Sequence, residues 1–243
     1  MGTSKSYNPP TSKEWQKLKT KVTRDSQQSS LSSKETQNII KDYINTVGGT
    51  SRVSSGKGTF GGTKSAQRAA GRLASFISQI NNVGLNEALL KIGLEKLEGK
   101  SVKEINAFLL NYFAQEVNTL DDVDARNAMS RLMDELLAAA KTAEDVERII
   151  NEQAQGSNLN EILLEFFGYY LFEQFSRVFY ERLVARIGKA KTDNFFKSIE
   201  DYLKSKVKLV NFKKDIKRID WNGKEGKDII DSIFKEVLEV FGE

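Results

Sequence analysis

From Ser32 onward, apolar residues recur every three or four positions, and the spacing predicts one helix after another. Ser32-Ser33-Lys34-Glu35 has the form of a capping box. Ile39, Ile40, Tyr43, Ile44 and Val47 follow it as one stripe, which Gly48-Gly49 closes. A Gly/Ser-rich connector over 48–62 leads into a helix from Thr63, with Leu73, Phe76, Ile77 and Ile80 at helical spacing. Gly84-Leu85 starts another helix, and Ser101-Val102-Lys103-Glu104 is a second capping box, feeding Ile105, Phe108, Leu109, Tyr112 and Phe113. Thr119 caps a helix whose first turn carries Asp121, Asp122 and Asp124, acids that complement the macrodipole. Thr142 caps the next. The most apolar stretch runs from Leu159 to Ile187 and reads as a central core helix, touched on most sides. Glu165, Glu173, Gln174, Arg177, Glu181 and Arg182 interrupt it too often for a membrane span. Thr192 opens a further helix, Val207 to Phe212 reads as its end or a short strand, and Asp220-Trp221-Asn222-Gly223 as a turn. A last helix carries Ile229, Ile230, Ile233, Phe234, Val237, Leu238 and Phe241. No repeat of about 20 to 50 residues is present.

Residues 1–31 lack this pattern. They are rich in Ser, Thr, Gln, Asn and Lys, and read as a disordered arm with at most a helical turn around Trp15 and Leu18. The expected fold is therefore all-α. It is a multi-helix bundle with a flexible N-terminal arm over 1–31, a helical core domain over 32–190 that includes the connector, and a C-terminal helical extension over 191–243.

The composition narrows the chemistry. The 243 residues include no cysteine and no histidine. Disulfides, Cys/His zinc sites, Ser-His-Asp triads and His proton shuttles are all excluded. A non-enzymatic protein with no bound cofactor or metal is the expectation. The lack of cysteine fits a reducing cytoplasm, and the first residues carry no apolar signal-peptide core. Pro9 and Pro10 are the only prolines, so nothing downstream blocks helix formation.

The net charge of +4 is unevenly spread. Residues 84–181 are acid-rich. The arm is basic through Lys13, Lys17, Lys19, Lys21 and Arg24, and a second basic stretch over 182–218 includes Lys204, Lys206, Lys208, Lys213, Lys214, Lys217 and Arg218. That stretch is a solvated lysine face or, as the sharper alternative, a surface for nucleic acid.

Three motifs overlap the glycines and the amino terminus. Gly56-Lys57-Gly58-Thr59-Phe60-Gly61 matches G-x-G-x-x-G, but a dinucleotide site needs a strand ahead of it, and a helix and polar connector stand there. Gly58 to Ser65 approaches a phosphate-binding loop, with Thr63 in place of the glycine before Lys64. A helix start beside glycines can still hold an anion. Lys64, Ser65, Arg68 and Arg72 are therefore candidate anion or partner contacts, with Arg68 and Arg72 one turn apart on one face. Met1-Gly2-Thr3-Ser4-Lys5-Ser6 fits the N-myristoylation pattern, which would make a lipid-anchored peripheral protein. The same residues allow another use. With Met1 removed, Gly2 offers an α-amine of pKa about 8 and no side chain, suited to a narrow enzyme slot.

The order of three segments carries a resemblance. They are Met1 to Tyr7, the glycine connector joined to Lys64-Ser65-Ala66-Gln67-Arg68-Ala69-Ala70-Gly71-Arg72-Leu73-Ala74-Ser75-Phe76, and the run from Gly84-Leu85-Asn86-Glu87-Ala88-Leu89 through Gly93 to Ser101. Together they resemble the QatB family of the four-gene Qat antiphage defence systems of bacteria, most clearly over 1–7 and about 56–140. The resemblance implies three partners: a QueC-like enzyme, an ATPase and a TatD-like nuclease. It further implies that the QueC-like enzyme activates a deazaguanine carboxylate and attaches it to the N-terminal glycine. Gly2 matches that position, with Thr3, Ser4, Lys5, Ser6 and Tyr7 as the segment the enzyme recognises and a 7-deazaguanine adduct on Gly2 as the product. The arm departs from the family pattern in having little Gly/Pro richness beyond Pro9-Pro10.

Overall fold

The computed structural model describes residues 12–28, 30–54, 63–155, 158–210, 219–221 and 223–242. Among the described residues there are eleven helices and no strand, so the chain is an all-α bundle. In chain order they are α1 Lys13–Asp25, α2 Ser33–Thr46, α3 Thr50–Ser54, α4 Lys64–Val83, α5 Leu85–Lys91, α6 Val102–Ala114, α7 Leu120–Leu136, α8 Ala143–Ala154, α9 Asn158–Ile187, α10 Lys189–Val207 and α11 Lys224–Gly242.

Local sequence sets most boundaries. Both predicted capping boxes are formed: the Ser32 and Ser101 hydroxyls accept from the Glu35 and Glu104 amides, and each glutamate accepts from the cap amide in return. Thr119 with Asp122 and Thr142 with Asp145 make the same reciprocal pair. Gly84 and Gly188 sit at φ +86° and +81°, where a Cβ would be strained, and each ends one helix at the start of the next. α10 begins three residues before the expected Thr192. That residue is buried in the first turn, its hydroxyl bonded back to the Gly188 carbonyl at 2.9 Å.

α9 is the central helix. Leu163, Phe166, Phe167, Tyr170, Phe175 and Phe179 are all buried along its length, and α7 and α10 lie against it with α4, α8 and α11 around them. Stacking of Phe167 on Phe234 joins α9 to α11, with ring centroids 4.7 Å apart. Gly168 lets α10 approach: a Cβ there would sit 2.8 Å from Val207 Cγ2.

Three expectations are corrected. The arm is shorter than 1–31, because residues 13–25 form α1, which buries Trp15, Leu18 and Val22 against α2 and α9. Their spacing of three and four residues makes a narrow apolar stripe on an otherwise lysine-rich helix. The connector is interrupted by α3, where Val53 is buried and Thr63 Oγ1 donates to the Val53 carbonyl. The segment from 191 onward is no appendage: α11 packs on α2, α3, α4 and α9, and Ile233, Phe234, Val237 and Phe241 belong to the common core. A short strand at 207–212 is not formed at its described end, where α10 closes at Val207 and Lys208. The predicted turn is present, with the Gly223 amide on the Asp220 carbonyl at 3.1 Å. No helix among the described residues is long and apolar enough to cross a membrane.

Candidate functional site

The N-termini of α4 and α7 meet, and two carboxylates join them. Ser65 is the second residue of α4, and its amide donates to Asp121 Oδ2 at 2.9 Å. Its hydroxyl donates to Asp122 Oδ1 at 2.6 Å. Asp121 also accepts from the hydroxyl of Tyr170 on α9, and Gln174 Nε2 donates to that same oxygen at 2.8 Å. Burial first, and then the Asp121 carboxylate, push the Tyr170 hydroxyl well above its ordinary pKa, so it stays a donor. The α4 terminus that could have held an outside anion is thus filled by the chain's own acids. Ser65 is buried and committed to them.

Asp122 carries the densest set of bonds. Burial alone would raise its pKa. Bonds from Ser65 and Thr119, and from the Asn118 and Thr119 amides, outweigh burial and hold it at about 2. A depressed carboxylate contributes stability above its unfolded pKa and loses it as pH falls through the folded value. Asp122 therefore supplies about 2 kcal/mol at neutral pH, lost between about pH 4 and 2. Ser65→Ala should remove part of this and flatten the acid limb of stability against pH, measured by urea unfolding across that range.

In front of this node lies an open cleft of about 950 Å³ between α4, α6 and α7. Arg68 and Arg72 from α4 and Arg126 from α7 line it, facing the 115–118 connection. Arg68 Nη2 contacts Asp122 Oδ1 at 3.2 Å and Ser65 Oγ at 3.0 Å. Half-buried Arg72 donates to the Phe113 carbonyl at 3.3 Å, and burial followed by the like charge of Arg68 lowers its pKa. Arg126 donates to the Gln115 carbonyl at 3.1 Å and to Asn111 Oδ1. Gln115 holds φ +51° with ψ −162°, a region glycine favours and one that costs a non-glycine residue about 1–3 kcal/mol. Arg68 and Arg72 also border a second cleft with Lys64, Trp221, Lys227 and Asp231.

The structure thus brings the predicted Arg68 and Arg72 to one cleft, leaves Lys64 exposed at the second cleft, and turns Ser65 inward. Asn111, Gln115 and Arg126 were not foreseen. Their sequence signal is faint: a polar loop after a capped helix, and one arginine between small residues. Asp121 and Asp122 stand in the first turn of α7 as read, and they also bridge helices, while Asp124 pairs with Arg177 on α9. Gly2 and Thr3 to Tyr7 lie outside the described residues, as do Gly56 to Gly62. The helix α3, not a strand, precedes those glycines. In the basic 182–218 stretch, Lys204 bonds Glu135, and Lys206 lies 5.8 Å over the Tyr202 ring. Lys213, Lys214, Lys217 and Arg218 lie outside the described residues.

The family profile described as Qat anti-phage system associated protein QatB matches residues 61–241. The chain belongs to the QatB family. QatB membership gives it a role in the Qat anti-phage defence system, alongside other proteins of that system. The matched span holds the whole arginine cleft and the node behind it, and leaves α1, α2 and α3 outside. No curated protein and no solved structure matches the chain.

Proposed function

We propose that this QatB-family chain is a non-enzymatic subunit that presents the amino group of Gly2, freed by loss of Met1, to a QueC-like enzyme of the same system for attachment of a 7-deazaguanine. The observation that carries the reading is the seating of α1. Trp15, Leu18 and Val22 fix it to the core, while Ser12, Lys13 and Glu14 at its start are exposed. Gly2 is ten residues ahead of Ser12 in sequence, a length that spans at most about 35 Å when extended. An anchored base with that reach suits delivery of an amine into another protein's cleft.

In this reading the enzyme adenylates the deazaguanine carboxylate with ATP and releases pyrophosphate. The Gly2 nitrogen attacks the acyl carbon, an amide C–N bond forms, and the acyl–phosphate C–O bond breaks. AMP leaves, and the amine gives its proton to solvent. At neutral pH an α-amine of pKa about 8 is neutral far more often than a lysine. The ATPase and the TatD-like nuclease complete the system in this reading.

Intact-mass measurement tests it. The chain purified from cells with the complete system should gain the mass of the deazaguanine acid less one water. It should gain nothing without the QueC-like enzyme, or as Gly2→Pro. An unchanged mass in the complete system sinks the reading, and the mass of a myristoyl group would replace it with a lipid anchor.

A further inference from the structure

The three arginines of the cleft have too few internal anions. Among the described residues Asp122 is their one carboxylate partner, and it meets Arg68 alone. Arg72 and Arg126 donate to neutral oxygens of Phe113, Gln115 and Asn111. The charge that weighs on Arg72 is another guanidinium, Arg68, and among the described residues Arg72 makes no ion pair with a carboxylate. Guanidinium groups gathered in an open cleft without ion-pair partners raise the local positive potential and favour an anion from outside. Guanidinium forks fit carboxylate and phosphate equally well.

The rim separates those two. Val117, in the loop that lines the cleft, is 44% exposed, a large aliphatic side chain beside the cleft's one exposed acid, Glu116. A phosphodiester backbone has no use for exposed aliphatic groups, whereas a peptide side chain gains by covering them. We propose that this cleft docks an acidic, aliphatic-containing segment of another protein chain, with its carboxylates on Arg68, Arg72 and Arg126 and an apolar side chain over Val117. The assignment is independent of Gly2, which the intact-mass measurement reads separately.

A photo-crosslinker tests it in place. Glu116→p-benzoylphenylalanine is introduced into the full chain, in cells making the complete system, and the adduct is identified by peptide mass spectrometry. The expected adduct is an acidic segment of another protein, with its yield reduced about tenfold by Arg72→Gln and by Arg126→Gln. Arg126 is on the outer face of α7, so its variant serves if Arg72→Gln melts early. An adduct to nucleic acid, to a second copy of this chain or to a segment without acids overturns the proposal. So does no adduct, or a yield that folded variants leave unchanged.

Discussion

Arg177→Met is expected to destabilise the fold by about 3–5 kcal/mol in urea unfolding at neutral pH. Arg177 Nε lies 2.9 Å from both Asp124 oxygens, and Nη2 lies 2.8 Å from Oδ2. The two side chains are only 12% and 2% exposed. Burial pushes the Asp124 carboxyl up to about 6 even with Arg177 bonded to it. Without the arginine it rises further, and at neutral pH the fold must bury an unpaired charge or take up a proton. A raised folded pKa means that the native state holds a proton the unfolded chain has lost. The variant should therefore be weakest at high pH and recover as pH falls toward the ordinary aspartate range. Asp124→Asn in the same chain should restore part of the loss and remove that slope. Equal stability and equal pH dependence of the single and double variants would mean that the pair does not fasten α7 to α9.

This pair also shows where sequence reading stops. Helix ends were legible because their causes are local. Ser101 and Glu104, or Thr119 and Asp122, stand three residues apart and satisfy each other within one turn. The central role of α9 was legible because apolar residues occupy nearly all sides of it. The partners of Asp121, Asp122 and Asp124 are a different matter. Ser65 precedes its two acids by more than fifty positions, and Tyr170 and Arg177 follow theirs by about as many. No periodicity encodes such a pairing, so the acids read as dipole complements and the arginine as a polar interruption. The cleft failed for a related reason. Arg68 and Arg72 were visible as neighbours on one helix, but Arg126 joins them only because α4 and α7 pack N-terminus to N-terminus. The arm was drawn too long because α1 offers three apolar residues among many lysines. That is enough to seat a helix on an existing core and too little to stand out alone.

Trp15→Ala is the sharpest measure of that last error, with an expected loss of about 3–5 kcal/mol in thermal or urea unfolding. A residue in a free arm would cost nothing. Trp15 is 1% exposed, and its ring lies 6.3 Å, centroid to centroid, from both Tyr43 of α2 and Phe179 of α9. Tyr43 in turn meets Phe175 edge-on at 5.4 Å, so the loss would spread into the aromatic centre of the bundle. Two truncations place the boundary. Removing residues 1–11 should leave the melting temperature close to that of the full chain while abolishing any gain in mass from the complete system. Removing residues 1–25 should cost stability on the scale of Trp15→Ala or beyond. A truncation at 11 that unfolded the protein would give the first residues a structural duty and take away the ground for treating Gly2 as a deliverable amine. If Trp15→Ala instead melted with the wild type, α1 would hold nothing, and the amine would lack the fixed base on which its proposed delivery rests.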